Sequence, residues 1–200
     1  MFYRTLAYGL LVALLFAPPG GNAGQEEREG EGVYVKERCI TPSAHMPIVG
    51  FVPPESYEKP CRVPTALDTA RSYRGAAERP PGSNSGAVVE RFLSSVGLGG
   101  GYAWCAAYAS HSFQQGPVRP LSEEGQAIRS AGARDYMDAK KTISPRDVAA
   151  GRVDVPKGSL VVWGVRGSWT GHIGLVLSDP WTGRCGRTIE GNTSPPEQDS

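Results

Sequence analysis

The chain has 200 residues, a length that fits one domain with flanking segments. Its 21 Lys and Arg against 20 Asp and Glu argue against a general nucleic-acid binder, which carries a basic patch and a high pI. Four cysteines (Cys39, Cys61, Cys105, Cys185) without a CxxC pair, and three histidines (His45, His111, His172) without HxxxH spacing, argue against a Cys/His zinc site, and no metal ligands are expected.

In chain order, Arg4 supplies a positive n-region, Leu6 to Ala17 is apolar and uncharged, and Gly21-Asn22-Ala23 ends the stretch with small residues. Residues 1–23 thus read as a secretory signal peptide, giving a secreted or periplasmic bacterial protein with no membrane segment after cleavage. Cleavage removes Arg4 and no acid, leaving 20 basic and 20 acidic residues. Residues 24–64 read as a Pro-rich flexible extension, charged and Gly-bearing over 24–36. Sequence alone allows three full pairings of four cysteines. In an oxidising compartment we expect a Cys39–Cys61 disulfide, with reduced thiols as the alternative, and Cys185 is then left without a partner. A stray Cys185–Cys105 bridge would silence Cys105.

Residues 65–200 form the candidate domain. Residues 65–76 suggest a short helix, and Ser85 to Val96 a second, with Ala87, Val88, Phe92, Leu93 and Val96 on its apolar face. The Gly99-Gly100-Gly101 run precedes a third, alanine-rich and largely buried helix over Tyr102 to Phe113. Residues 122–130 and 131–140 read as helical, with Pro145 as an interruption. The last third changes period: 158–163, 171–177 and 187–192 are β-rich, with a hairpin loop over 179–186 between the last two. Helices first and an antiparallel meander afterwards make an α+β fold.

Cys105 lies in the first turn of the third helix, where a thiolate is favoured. By default a cysteine among alanines is a small buried hydrophobe. A catalytic role needs a histidine brought close by the fold. His111 lies six positions along the same helix, roughly 600° of rotation at about 100° per residue, and points away. His45 sits in the Pro-rich extension, which leaves His172. In a hairpin centred on the 179–186 loop, Asn192 falls roughly opposite His172 and Glu190 one diagonal step away, both on the face of the imidazole. Either can orient the ring, freeing its other nitrogen for Cys105. Gly171, Gly174 and Gly191 fit a crowded site that substrate backbone approaches closely.

Trp104-Cys105-Ala106-Ala107-Tyr108, Gly171-His172-Ile173-Gly174-Leu175-Val176 and Ile189-Glu190-Gly191-Asn192-Thr193 resemble the three signature blocks of CHAP domains, the cysteine- and histidine-dependent amidohydrolases/peptidases. Asn84-Ser85-Gly86 with Val89-Glu90-Arg91-Phe92-Leu93, and Pro156 to Trp163, are similar to flanking segments of that family. The resemblance covers about 65–200, though residues 116–150 match only vaguely. It implies a papain-like fold in which the nucleophile helix packs on an antiparallel sheet. It further implies a monomer without cofactor that hydrolyses amide bonds of peptidoglycan stem peptides, as amidase or endopeptidase. Cys105 would be nucleophile, His172 base and then acid, Glu190 the orienting residue, and Asn192 a support for the ring or the oxyanion. Trp104 and Trp169 are candidates to line the substrate groove, with packing an equal alternative for each. Two departures stand out: Ser159 replaces the family's usual Asp, and the chain stops eight residues after Asn192, where members add a further strand. Without that strand the sheet edge beside Glu190 is expected to be open. The rival readings are a non-catalytic wall-binding module that keeps the fold, and a lytic toxin or phage-type lysin.

Overall fold

A computed structural model describes residues 30–39, 48–49, 65–139, 142–164, 167–178, 181 and 183–195. The expected signal peptide, His45 and Cys61 lie outside the described residues. Among the described residues, no helix is long and apolar enough to cross a membrane.

The fold is mixed helix and sheet. In chain order the elements are β1 (Gly32–Cys39), β2 (Ile48–Val49), α1 (Ala66–Ser72), α2 (Ala87–Ser94), α3 (Cys105–Gln114), a 3-10 helix (Ala133–Asp138), β3 (Thr142–Ile143), α4 (Pro145–Ala149), β4 (Leu160–Gly164), β5 (Gly171–Val176) and β6 (Cys185–Thr193). The strands form one antiparallel sheet in the order β1-β6-β5-β4-β2-β3. α1 starts on a capping box: Thr65 Oγ1 accepts from the Asp68 backbone N–H, and the Thr65 backbone N–H donates to Asp68 Oδ2 at 3.0 Å. These bonds satisfy two N–H groups that a helix start leaves without partners.

Period-2 alternation divides the core between the two faces of the sheet. Leu160 and Val162 of β4, Ile173 and Leu175 of β5, and Ile189 of β6 pack with α1, α2 and α3. On the opposite face Val161 and Val176 pack with Val148, Val155 and Trp181. α3 is central and buried along most of its length. The Tyr108 hydroxyl donates to the Ala70 carbonyl at 2.9 Å, tying α3 to α1. Phe92 of α2 stacks on Trp104, with centroids 5.6 Å apart, and meets Tyr108 edge-on.

Several expectations change. Residues 122–130 are not helical: Leu121 and Ala127 bridge across a turn whose Gly125 has φ 83°, a left-handed conformation that stops a helix. Pro145 opens α4 at its first turn, where its missing N–H costs nothing. The extension over 24–64 is not flexible throughout, because Gly32–Cys39 is a full strand paired with β6. The sheet edge beside Glu190 is therefore covered from the N-terminal side, by a strand with Tyr34 in register with Glu190.

The expected Cys39–Cys61 disulfide is also corrected. Cys39 is bonded to Cys185, its register partner across the β1–β6 ladder, and Cys105 is free. Pairing of β1 with β6 places these two sulfurs together, a long-range consequence that local spacing does not contain. Closing a separation of 146 residues is worth about 5 kcal/mol in the chain-entropy treatment, against about 3 for a loop of roughly 20 residues.

Candidate active site

β5 and β6 pair in the register Gly174–Glu190, Leu175–Ile189 and Val176–Thr188. Extended by two residues on each strand, that register sets Asn192 opposite His172, the geometry expected from the hairpin. The ladder ends at Gly174–Glu190, however, and Asn192 adopts φ 56°. This left-handed backbone, which Asn tolerates better than most residues, turns its amide away from the imidazole. Asn192 Oδ1 accepts the Trp104 backbone N–H at 2.8 Å, just ahead of Cys105. Its Nδ2 donates toward Glu31 Oε2, Glu78 Oε1 and Asn84 Oδ1. Of the two residues able to orient the ring, Asn192 instead fastens the start of α3 to β6.

Glu190 takes the other role. Its Oε2 lies 2.9 Å from His172 Nε2. Glu190 is fully buried, with 0 % of its surface exposed, so its charge needs partners. It has three: Arg38, whose Nε donates to Oε1 at 2.7 Å and whose Nη2 donates to Oε2; Thr188, whose hydroxyl donates to Oε1 at 2.5 Å; and His172. Burial favours the neutral acid, but the hydrogen bonds from Arg38, His172 and Thr188 outweigh it and hold the carboxyl at about 2. Burial likewise opposes the imidazolium of His172. Hydrogen bonds and charge from Cys105 and Glu190 prevail and raise its pKa to about 9. His172 therefore carries both ring protons at neutral pH, with Nε2 committed to Glu190 and Nδ1 left for the sulfur.

Cys105 begins α3 and is 5 % exposed. The first turn of α3 contains no acid, so the N–H groups at the helix start face no competing carboxylate from their own turn. A cleft of about 390 Å³ borders the site, lined by His172, Asn192, Arg38, Trp163 and Glu31 among others. Burial, then the charge of Glu78, raises the pKa of Glu31, against the opposing influence of His172 and Asn192.

The structure thus brings Cys105, His172 and Glu190 together and sets Asn192 at the helix start. Trp104 does not line a groove: it is 0 % exposed, stacked on Phe92, and its indole N–H donates to Glu78 Oε1 at 3.0 Å. Trp169 is 89 % exposed on the loop before β5. Arg38 lies within the segment that reads as a flexible extension, because a charged, Gly-bearing run precedes it. The signal was present in Gly32-Val33-Tyr34-Val35-Lys36, whose alternating valines mark a strand.

The glycines answer to packing rather than to substrate. A Cβ at Gly174 would meet Glu190 Cγ at 2.7 Å, and one at Gly191 would meet Trp104 Cζ3 and Tyr108 Cγ at 2.8 Å. Both rings are fully buried. Gly191→Ala is therefore expected to cost about 1–3 kcal/mol through overpacking, measured as a lower urea midpoint with an unchanged slope. A variant as stable as the parent would show that the rings have room to yield.

Comparison with protein-family models, with curated proteins and with solved structures finds no match.

Proposed function

We propose that this chain is a papain-like thiol hydrolase of the CHAP type that cleaves an amide bond in peptidoglycan. The observation that carries the reading is the order of groups around one imidazole: Cys105 at a helix start on one side and the buried Glu190 carboxylate on Nε2. The wall substrate comes from the resemblance of the Trp104–Tyr108, Gly171–Val176 and Ile189–Thr193 blocks to that family.

In this mechanism the second ring proton of His172, on Nδ1, is the one given up by Cys105 before substrate arrives, and the thiolate adds to the amide carbonyl carbon. Charge gathers on the carbonyl oxygen, where backbone N–H groups at the start of α3 stabilise it. The tetrahedral adduct collapses as Nδ1–H protonates the leaving amine, giving a thioester and a free amine. His172 then deprotonates a water that attacks the thioester; the C–S bond breaks, the acid is released, and sulfur keeps the electron pair beside the reprotonated ring. Throughout, Glu190 fixes the ring through Nε2 and offsets the charge of the imidazolium. Asn192 holds the start of α3 in place. Trp169, exposed on the rim, offers an aromatic face to glycan or stem peptide.

Purified protein incubated with cell-wall sacculi is expected to release soluble fragments, each with a new free amine. Mass spectrometry of the fragments identifies the bond cut. Binding to sacculi with no fragment release would sink the hydrolase reading and favour a wall-binding module.

A further inference from the structure

We propose that Arg38 is a positioning residue of the Cys105–His172 pair, and that the Cys39–Cys185 disulfide is the latch that sets it on Glu190, so that the site is complete only in the oxidised chain. The assignment rests on the thiol-hydrolase reading for its consequence in catalysis, but its geometry stands apart from any substrate.

Arg38 reaches both oxygens of Glu190, and Oε2 is the oxygen that also meets His172 Nε2. A two-point fork of this kind fixes the rotation of a carboxylate as well as its position. The rotation decides whether Oε2 points at the imidazole. The guanidinium also lies 5.1 Å from the Trp163 ring centroid, and Trp163 lies 5.7 Å from the His172 ring. Arg38, Trp163 and His172 all line the same cleft. Arg38 thus braces the imidazole through Glu190 and flanks it through Trp163.

The two ends of β1 are held differently. At its start Val33 is buried in the core, and its N–H donates to the Ala76 carbonyl at 2.9 Å. Arg38 is the last residue but one, and Cys39 ends the strand. The end of an edge strand is where a ladder frays first. The covalent bond at that end is the disulfide from Cys39 to Cys185. Without it, the end carrying Arg38 loosens while the buried end stays docked. Both bridge cysteines are exposed, whereas Cys105 is 5 % exposed. Reagents in solution therefore reach the latch more readily than the nucleophile.

The redox step is thiol–disulfide exchange. The Cys39 and Cys185 thiols together give two protons and two electrons to a disulfide-bearing oxidant, forming the S–S bond and reducing the oxidant to a dithiol. A dithiol reductant reverses the reaction. In a reducing compartment the chain keeps Glu190 without its Arg38 brace, and on reaching an oxidising one it closes the latch. A reductant, commonly added to protect a catalytic thiol, would then lower activity here.

The test uses the full chain in oxidised form, after dithiothreitol treatment, and as the Cys39→Ser/Cys185→Ser, Arg38→Gln and Arg38→Lys variants. Nitrogen-15 NMR follows the titration and tautomer of the His172 imidazole. Iodoacetamide labelling of Cys105 at pH 6 is read by peptide mass spectrometry, and circular dichroism reports the fold. Reduction, the double Ser variant and Arg38→Gln are each expected to move the His172 midpoint toward acid and to slow Cys105 labelling at least about tenfold. Arg38→Lys restores the midpoint in part but not the labelling rate, since a lone ammonium keeps the charge and loses the fork. A folded Arg38→Gln protein that titrates and labels like the parent overturns the positioning role, and its disulfide is intact if the Ser variant fails to fold. A folded reduced chain that matches the oxidised one overturns the latch. If no form digests sacculi while His172 still follows the redox state, the wall-hydrolase reading fails and the latch stands.

Discussion

Cys105→Ala is expected to reduce fragment release from sacculi at least about 10⁴-fold, since loss of the nucleophile from such a catalytic unit has cost as much as ~10⁶ elsewhere. The fold should survive the change. Cys105 packs beside Ala106, Ala107 and Ala109, and alanine at 105 keeps the helix-forming character of α3 while leaving only a sulfur-sized void. That void is expected to cost about 1–2 kcal/mol, a shift of a few degrees in Tm. His172→Ala should fall to a similar residual rate. The double variant should be no slower than either single one, because two groups that act on one bond lose their effect together. The comparison separates chemistry from packing: a cavity effect would add between the two sites, and a shared catalytic step would not. Fragment release by Cys105→Ala at the parental rate would end the thiol mechanism outright.

The three candidate residues were legible in sequence because each lies in a segment with a strong local signal. Cys105 follows a glycine run and opens an alanine-rich helix, while His172 and Glu190 sit on strands whose alternation puts them on one face. The hairpin register predicted the diagonal contact between His172 and Glu190, and it also placed Asn192 opposite the ring. Asn192 left that position through one backbone torsion, which no periodicity encodes. Arg38 and the Cys39–Cys185 bridge were hidden for a different reason. Both depend on β1 pairing with a strand about 150 residues later, a contact set by topology rather than by neighbours in the chain. Trp104 stands between groove and core in the sequence because a tryptophan beside a candidate nucleophile suits either. Its indole N–H bond to the buried Glu78 decides for the core. Glu78 itself carries no local mark in the sequence, since an acid after two alanines normally faces water.

Glu190→Gln should be a highly damaging isosteric change. The amide keeps one acceptor and turns the other oxygen into a donor, aimed at donors on Arg38, Thr188 or His172. It also leaves the Arg38 charge without its partner. Breaking a buried pair by removing one member costs about 3–5 kcal/mol. Arg38 is 34 % exposed, so water can resolvate it, and the lower end of that range is expected. The dependence on pH identifies the cause. The Glu190 carboxyl is held at about 2 in the fold against 4.5 ordinarily, so its contribution is full above 4.5 and is lost as pH falls toward 2. His172 is raised to about 9 from 6.5, so its contribution is full below 6.5 and fades as pH rises through 9. Together they place the greatest stability of the pair between about pH 4.5 and 6.5. Urea unfolding of the parent should show both declines. Glu190→Gln should lose most of the acid-side decline and bring the alkaline one to lower pH, because its imidazolium has lost the carboxylate. Activity should fall about 10²–10⁴-fold, as when an orienting carboxylate is replaced by an amide and the ring tautomer is no longer fixed. If the variant unfolds at the parental urea concentration at pH 5.5 and its His172 titrates unchanged, Glu190 is not what holds the imidazole.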